Sequence, residues 1–442
     1  MNVPMKQLSG WGRHPVVRAE QRETEDLEPA SAGATLSRGL GRSYGDASLP
    51  TRGAAVCTRR ADRILAFDSE TGVLRAEAGF SLRALNEIFP ARGWTTPVSP
   101  GTQYVTLGGM VASDVHGKNH HVAGCVGEHV RAMRIRVGDG RVLEIDDGSE
   151  PELFRATLGG MGLTGHVLEV ELQLERIPSF WIWGRSERVR DLDELLATLA
   201  AASARSPFAA AWVDVTARGT ALGRGIVTSG RYAEPHEAPA NPPQLLERFA
   251  VPFELPNGFV APWSIRLFNL LWFHKHGAGA REHIVHPQPF FYPLDQVRHW
   301  NRLYGRRGMV QYQCVIPTRA DRGLFRRLLE VVSRLGGASP VSVIKDCGAE
   351  GRGMLSFPMP GMSLALDLPY RAGATELLVD ALNELVIEAG GRIYLTKDAL
   401  TRREHFAAME PRLAGWNQVR RKWDPERRLS SALAERLLDP VT

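Results

Sequence analysis

The sequence predicts an α+β fold, and three observations carry that prediction. Apolar Leu168, Val170, Leu172 and Leu174 alternate with Glu169, Glu171 and Gln173, the period of a half-buried strand. Helix, double glycine and strand succeed one another twice: Leu324, Leu328, Leu329 and Val332 run into Gly336-Gly337 and residues 341–346, and Leu378, Leu382, Leu385 and Val386 run into Gly390-Gly391 and residues 392–398. With a further strand at 363–368, this reads as an antiparallel sheet covered by helices, with Lys345 and Lys397 at the same end of two strands. The third observation is a pair of glycine-rich loops, at 36–46 and 100–121, dense in donors and titratable groups. Such loops are the usual seat of a ligand rather than of scaffold.

Size and composition bound the possibilities. The 442 residues imply two or three domains at about 150 residues each, and 43% hydrophobic content is enough to build their cores. A net charge of +5, spread along the chain, fits an anionic substrate or a membrane surface and argues against a nucleic-acid binder. Cys57, Cys125, Cys314 and Cys347 show no C-x-x-C spacing, so reduced thiols are expected rather than disulfides or a zinc site. No apolar run approaches the roughly 18 residues of a membrane span, and the opening MNVPMKQLSGWGRHP lacks an apolar signal core. The expected location is therefore the cytoplasm.

Along the chain, Gly39, Gly41 and Gly45 suit a tight turn over a ligand, but the third glycine comes one residue late for G-x-G-x-x-G and Pro50 follows, which excludes a Rossmann turn. Residues 73–78 alternate weakly, and Ser81 caps a helix through Leu82, Leu85 and Phe89. Met133, Ile135 and Val137, the turn Gly138-Asp139-Gly140, and residues 142–145 form a hairpin. Ser149 with Glu152 reads as a capping box opening a helix to Leu158. The literal G-x-G-x-x-G at 160–165 follows a helix and precedes a strand, so it is a helix end and a close-approach turn, not a dinucleotide fingerprint.

Pro178 closes a first α/β region. Asp191 then caps a helix bearing Leu192, Leu195, Leu196 and Leu199, and strands are expected at 212–215 and 225–228. Residues 233–244, AEPHEAPANPPQ, should form an irregular mobile loop. The stretch 251–273 holds Phe253, Phe259, Trp263, Phe268, Trp272 and Phe273 with few charges. Two readings stay open there: cap-domain core, or an apolar surface meeting a lipid tail or membrane. His116 and His120 have the spacing of two metal ligands on a helix, but Gly117 argues against a helix and no third ligand is indicated. Because Tyr394 and Lys397 are three residues apart, at least one must lie beyond a regular strand to share a site.

SRGLGRSYGD at 37–46, PGTQYVTLGGMVASDVHGKNHH at 100–121, GGMGLTG at 159–165 and IYLTKD at 393–398 occur in this order over nearly the whole chain. Jointly they resemble the vanillyl-alcohol-oxidase or PCMH-type family of FAD-binding flavoproteins, and within it the branch acting on decaprenylphosphoryl ribose; the first region is also similar to alditol and gulonolactone oxidases. The resemblance implies a two-piece FAD-binding domain, 1–180 and 392–442, around an inserted α+β cap domain, 181–391, with an antiparallel sheet for the substrate. It implies oxidation of the 2-hydroxyl of a polyprenyl-phosphoryl-β-D-ribose to the 2-keto sugar. That is the first half of an epimerisation to arabinose for the cell wall, completed by a short-chain dehydrogenase/reductase partner. A soluble aldose or alditol oxidase on the same scaffold is the alternative. Contact with the inner membrane would be peripheral.

The implied cofactor residues are Ser37, Arg38, Gly39, Leu40, Gly41, Arg42, Ser43, Tyr44, Gly45 and Asp46 in the first loop, and Gly101, Thr102, Thr106, Gly108 and Gly109 in the second. Successive amides there can form an anion nest for a pyrophosphate. Ser113, Asp114, His116, Gly162, Val167 and Tyr394 would line the flavin. Lys397 would hold or deprotonate the sugar hydroxyl, His116, Lys118, Tyr44 and Gln313 would orient the sugar, and Lys345 would take the phosphate. His120 and His121 fall to structural roles or to supporting the residues that line the site. Where many relatives have the histidine that bonds the flavin, this chain has Arg42, so FAD is expected to be non-covalent. The chain also has Ala365 where mycobacterial members have cysteine, and Ser363 where they have asparagine, which bears on substrate choice.

Overall fold

The computed structural model describes residues 5–244, 249–277 and 279–439. The first region contains two main sheets, besides a short pairing of Trp94–Thr95 with Glu175–Arg176. A small one orders Met5–Ser9, Val16–Glu23, Ala54–Cys57 and Leu36–Arg38, the last three mutually parallel. A five-stranded antiparallel one orders Ile64–Phe67, Val73–Glu77, Gly165–Gln173, Val130–Val137 and Val142–Asp146. The alternating run at 168–174 is thus the central strand, and the hairpin at 130–146 forms as expected.

Local signals hold where the partner lies close in sequence. Ser81 accepts the Ala84 amide at the head of Leu82–Ile88, and Asp191 accepts the Glu194 amide at the head of Leu192–Arg205. The capping box at Ser149 does not form. Asp146 Oδ1 takes the amides of Gly148 and Ser149 to close the preceding turn, and Pro151–Thr157 starts from Glu150 at φ 54° without a side-chain cap.

The second region is built on an eight-stranded sheet, ordered Ala280–Val285, Ile182–Val189, Gly225–Tyr232, Phe208–Val213, Ser342–Cys347, Gly361–Pro369, Met309–Pro317 and Arg392–Ile393, with antiparallel neighbours. The strand expected at 212–215 begins earlier, at Phe208, and that expected at 225–228 runs on to Tyr232. No helix or strand forms within 233–244.

Directly opposed residues in this sheet share a face. On one face Leu364, Leu366, Cys314 and Ile344 are fully buried, each leucine contributing about 1.5–3 kcal/mol. Tyr312 of the same face donates to Asn383 in the covering helix Ala374–Ala389. The other face carries Lys345, Ser363, Ala365, Asp367, Gln311 and Gln313 through the pairings Lys345↔Ser363, Gln313↔Ala365 and Gln311↔Asp367. That polar face is turned toward the first region, where Gln313 meets His116.

The strand expected over 392–398 is cut short. Only Arg392–Ile393 is strand; the chain then turns, with the Lys397 amide donating to Tyr394 O at 2.9 Å. Lys345 is therefore a strand residue and Lys397 a turn residue, so they do not occupy equivalent strand ends.

Candidate active site

The first glycine loop lies over the return of the chain at 394–398. The Tyr44 amide donates to Thr396 O at 2.9 Å, and a Cβ on Gly45 would meet Asp398 O at 1.9 Å, so no larger residue fits there. Arg436 braces the same junction, bidentate to Asp46 at 2.8 and 2.9 Å and 2.8 Å from Asp398. The Arg38 side chain ties the loop to Ser9 O and Ser48, and the Ser37 hydroxyl sits 2.8 Å from His166 Nδ1, whose Nε2 reaches Ala34 O. The side chains of Ser37, Arg38 and Asp46 thus shape the loop. From Gly39 to Ser43 the amides have no protein acceptor among the described residues, and Gly41 has φ 65°. A run of unmet donors around a left-handed residue is an anion nest.

The second loop contributes differently. Thr106 caps the helix Leu107–Ala112 by accepting the Gly109 amide, while the Leu107 and Gly108 amides are already given to Phe80 O and Ala78 O. Gly108 is there for close approach: a Cβ would lie 3.0 Å from Ala78. Gly101 and Gly162 have open space where a Cβ would be. Thr102 and the Gln103 amide both donate to the buried Asp295, each at 2.8 Å, fastening the loop to the second region. Burial pushes the Asp295 carboxyl up to about 6 despite these bonds.

His116 joins the two regions. It is buried, its ring lies 5.0 Å from Tyr394 and 5.3 Å from Phe357, and its Nε2 is 3.0 Å from the Gln313 amide nitrogen. With that amide donating, Nε2 accepts and Nδ1 carries the proton, and Nδ1 has no protein partner. Burial, then the positive charges of Lys345, His120 and Lys397, hold the imidazole neutral, well below its ordinary value. The Tyr394 hydroxyl donates to Ser113 O at 2.8 Å. Asp114, at φ 39°, turns inward to accept from Ser356 and from the Gly127 amide, and burial raises it to about 6. Val167 is buried at the irregularity in its strand.

Three lysines converge beyond His116. Lys397 Nζ lies 4.2 Å over the centre of the Tyr44 ring, and Lys118 Nζ reaches Phe291 O at 3.3 Å. Neither they nor Lys345 has a carboxylate within ion-pair distance among the described residues. Burial and then repulsion from Lys345 lower Lys118 to about 7. Burial likewise lowers Lys345 and Lys397, and Lys397 is further depressed by Lys345 and raised by Asp367. Clustered cations without counter-ions are an anion site. Asp367 itself is fully buried, bonded by Gln311, and raised chiefly by burial. It is a member of the site that motif reading overlooks, although it follows Ser363 and Ala365 on one strand face.

His120 and His121 are structural: His120 Nδ1 accepts the Gly348 amide at 3.0 Å, and His121 Nε2 is 3.1 Å from Ser206 O. No metal-binding cluster occurs among the described residues, and all four cysteines are buried and unpaired. Arg42 stacks on Trp11, 3.8 Å from the ring centre, and on Tyr104 at 4.9 Å, with its buried Nε unpartnered.

An amide nest, the His116 Nδ1 donor and the Arg42 Nε donor, all without protein partners among the described residues, fit a dinucleotide carrying a pyrophosphate and a polar ring. The comparisons agree. Residues 30–146 match the FAD binding domain. Over 98% of this chain and 97% of the relative, the protein is 35% identical to decaprenylphosphoryl-beta-D-ribose oxidase of Mycolicibacterium smegmatis. It is 36% identical over 81% of its length to an uncharacterized protein in the mprA 5' region of Streptomyces coelicolor, covering 99% of that protein. An L-gulonolactone oxidase of Scyliorhinus torazame is 32% identical over 33% of this chain and 32% of its own. The chain belongs to the FAD-binding family of decaprenylphosphoryl-β-D-ribose oxidases.

Proposed function

We propose that the protein oxidises the 2-hydroxyl of a polyprenyl-phosphoryl-β-D-ribose to the 2-keto sugar, and that a short-chain dehydrogenase/reductase then completes epimerisation to the arabinose compound. The observation that carries this reading is the set of three buried lysines, none with a carboxylate within ion-pair distance among the described residues, beside His116 and the polar sheet face that bears Gln313. A phosphate supplies the missing negative charge, and a pentose supplies hydroxyls for the neutral donors and acceptors around it. In this reading residues 1–180 and 392–442 form the FAD-binding domain and 181–391 the cap.

FAD would be held by the amides of residues 39–43 at its pyrophosphate, with His116 Nδ1 and Tyr394 near its ring, and when bound it supplies the two-electron acceptor for the hydride of the sugar C2. Lys397, kept partly neutral by burial, takes the hydroxyl proton on Nζ as the carbonyl forms. Tyr44 supports that lysine from below. His116 and Gln313 fix the sugar's orientation, and Lys345 with Lys118 binds the phosphate, whose charge favours their protonated forms. Arg42 cannot make the histidyl link to flavin, so FAD is held non-covalently.

The test is anaerobic bleaching of the flavin by lipid-linked and by free pentoses. Detergent-dispersed polyprenyl-phosphoryl ribose should reduce it rapidly. Reduction by free pentoses or alditols with none by the lipid-linked sugar would assign the protein to soluble sugar oxidation instead.

A further inference from the structure

Half of the large apolar side chains exposed on the described surface lie in one short stretch. Eight of sixteen fall between Phe249 and Leu271. The helix Pro262–Lys275 at its centre is built inside out: it buries Ile265, Asn269 and Phe273, and exposes Trp263 (71%), Leu267 and Leu271 (63%). Its attachment is specific, since the buried Asn269 donates to Asp214 at 2.8 Å and to Ser339 O at 3.3 Å, and Phe273 lies under the guanidiniums of Arg188 and Arg224. The outward face is therefore held outward. Phe253 (66%) and Phe259 are exposed just ahead of the helix in the chain, and Phe259 O accepts from Ser264 in its first turn.

Along the segment itself the charge is mainly positive. The helix contains no acid, and its exposed ionisable residues are Arg266, His274 and Lys275. The only acid from 249 to 275 is Glu254, which is bracketed by Arg13 and Arg306. Cations flanking exposed tryptophan, phenylalanine and leucine match the two layers of an anionic bilayer, headgroup and acyl chain. A soluble protein partner would need acidic groups facing these cations around an apolar centre; a bilayer needs only its ordinary composition.

The surface also adjoins the site. Val260, two residues before the helix, packs on the buried cluster of Tyr44, Trp300, Tyr304 and Met309, and Tyr44 carries Lys397 on its ring. We infer that the face formed by helix Pro262–Lys275 with Phe253 and Phe259 docks the protein onto an anionic phospholipid bilayer, so that a lipid-linked sugar passes from the membrane to Lys397 without leaving its lipid. This rests on the proposed substrate for its purpose, but not for its test.

The experiment is co-sedimentation of the FAD-loaded protein with phosphatidylcholine vesicles, with and without phosphatidylglycerol. The wild type should pellet with the anionic vesicles and much less with the neutral ones. Trp263→Ser with Leu271→Ser should weaken binding roughly ten-fold or more through lost apolar insertion. Arg266→Glu and Lys275→Glu should each weaken it at least about five-fold and make it less sensitive to salt. All these variants should retain flavin absorbance and wild-type reduction by a detergent-dispersed substrate. Absence of wild-type binding to anionic vesicles overturns the inference, as does a wild-type oligomer that the Trp263/Leu271 variant dissociates while vesicles have no effect. If vesicles bind but lipid-linked ribose leaves the flavin oxidised, the docking face stands and the substrate assignment falls.

Discussion

In the proposed reaction the charge state of Lys397 is governed first by burial and then by Asp367. Asp367 is buried on the same strand face as Ala365, and its negative charge favours protonated Lys397, opposing the effect of burial. Lysine must be neutral to accept a proton, so turnover falls as pH drops through the lysine's folded value. Asp367→Asn removes the stabilising charge, lowers that value, and should move the acid limb of kcat/KM to lower pH with flavin still bound. Lys397→Ala should lower the rate of flavin reduction by roughly 10²–10⁴-fold, the range of a lost general base, at unchanged flavin content. An acid limb that stays put in Asp367→Asn would remove the carboxylate from this role. The alternation in GMSLALDLP already places Ser363, Ala365 and Asp367 on one face, so this residue was readable from sequence. Asp295 was not, because its partners Thr102 and Gln103 lie more than 190 positions away.

At the scale of elements, the return of the chain at 394–398 is fastened to the first loop by one arginine between two carboxylates. Asp46 and Asp398 are almost wholly buried, and Arg436 reaches both. Replacing it by methionine leaves two buried carboxylates without a counter-ion, a loss of about 3–5 kcal/mol. Arg436→Met should show this in urea unfolding. It should also shed FAD more readily, since the Tyr44 amide and Thr396 carbonyl meet at the same junction. Unchanged stability and flavin retention would mean the carboxylates find other partners. Sequence discloses elements in proportion to how local their determinants are. Ser81 and Asp191 cap the helices they precede because donor and acceptor are three residues apart. Ser149 fails because Asp146 claims its amide first, and the strand after Gly391 ends early because the first loop captures Thr396.

For the whole molecule, the sheet order is the part that sequence withholds: Phe208–Val213 pairs with Ser342–Cys347 across more than 120 residues, and no local pattern announces it. The motif resemblance compensates, because four short stretches bring their spatial arrangement with them. In the proposed arrangement FAD would bridge the two regions, with the nest at 39–43 in the first and His116 joined to the second through Gln313. A ligand that binds only the folded state stabilises it in proportion to the logarithm of its concentration, by about 2.7 kcal/mol at a hundredfold excess over Kd. This holds only if it can dissociate. With Arg42 stacked between Trp11 and Tyr104 in place of a linking histidine, acid precipitation should release all the flavin into the supernatant. Apoprotein prepared with chaotropic salt should regain absorbance on adding FAD, and its Tm should climb steadily with FAD concentration. A covalent flavin would remain with the precipitate, and Tm would ignore added FAD; either result would overturn the reading of Arg42.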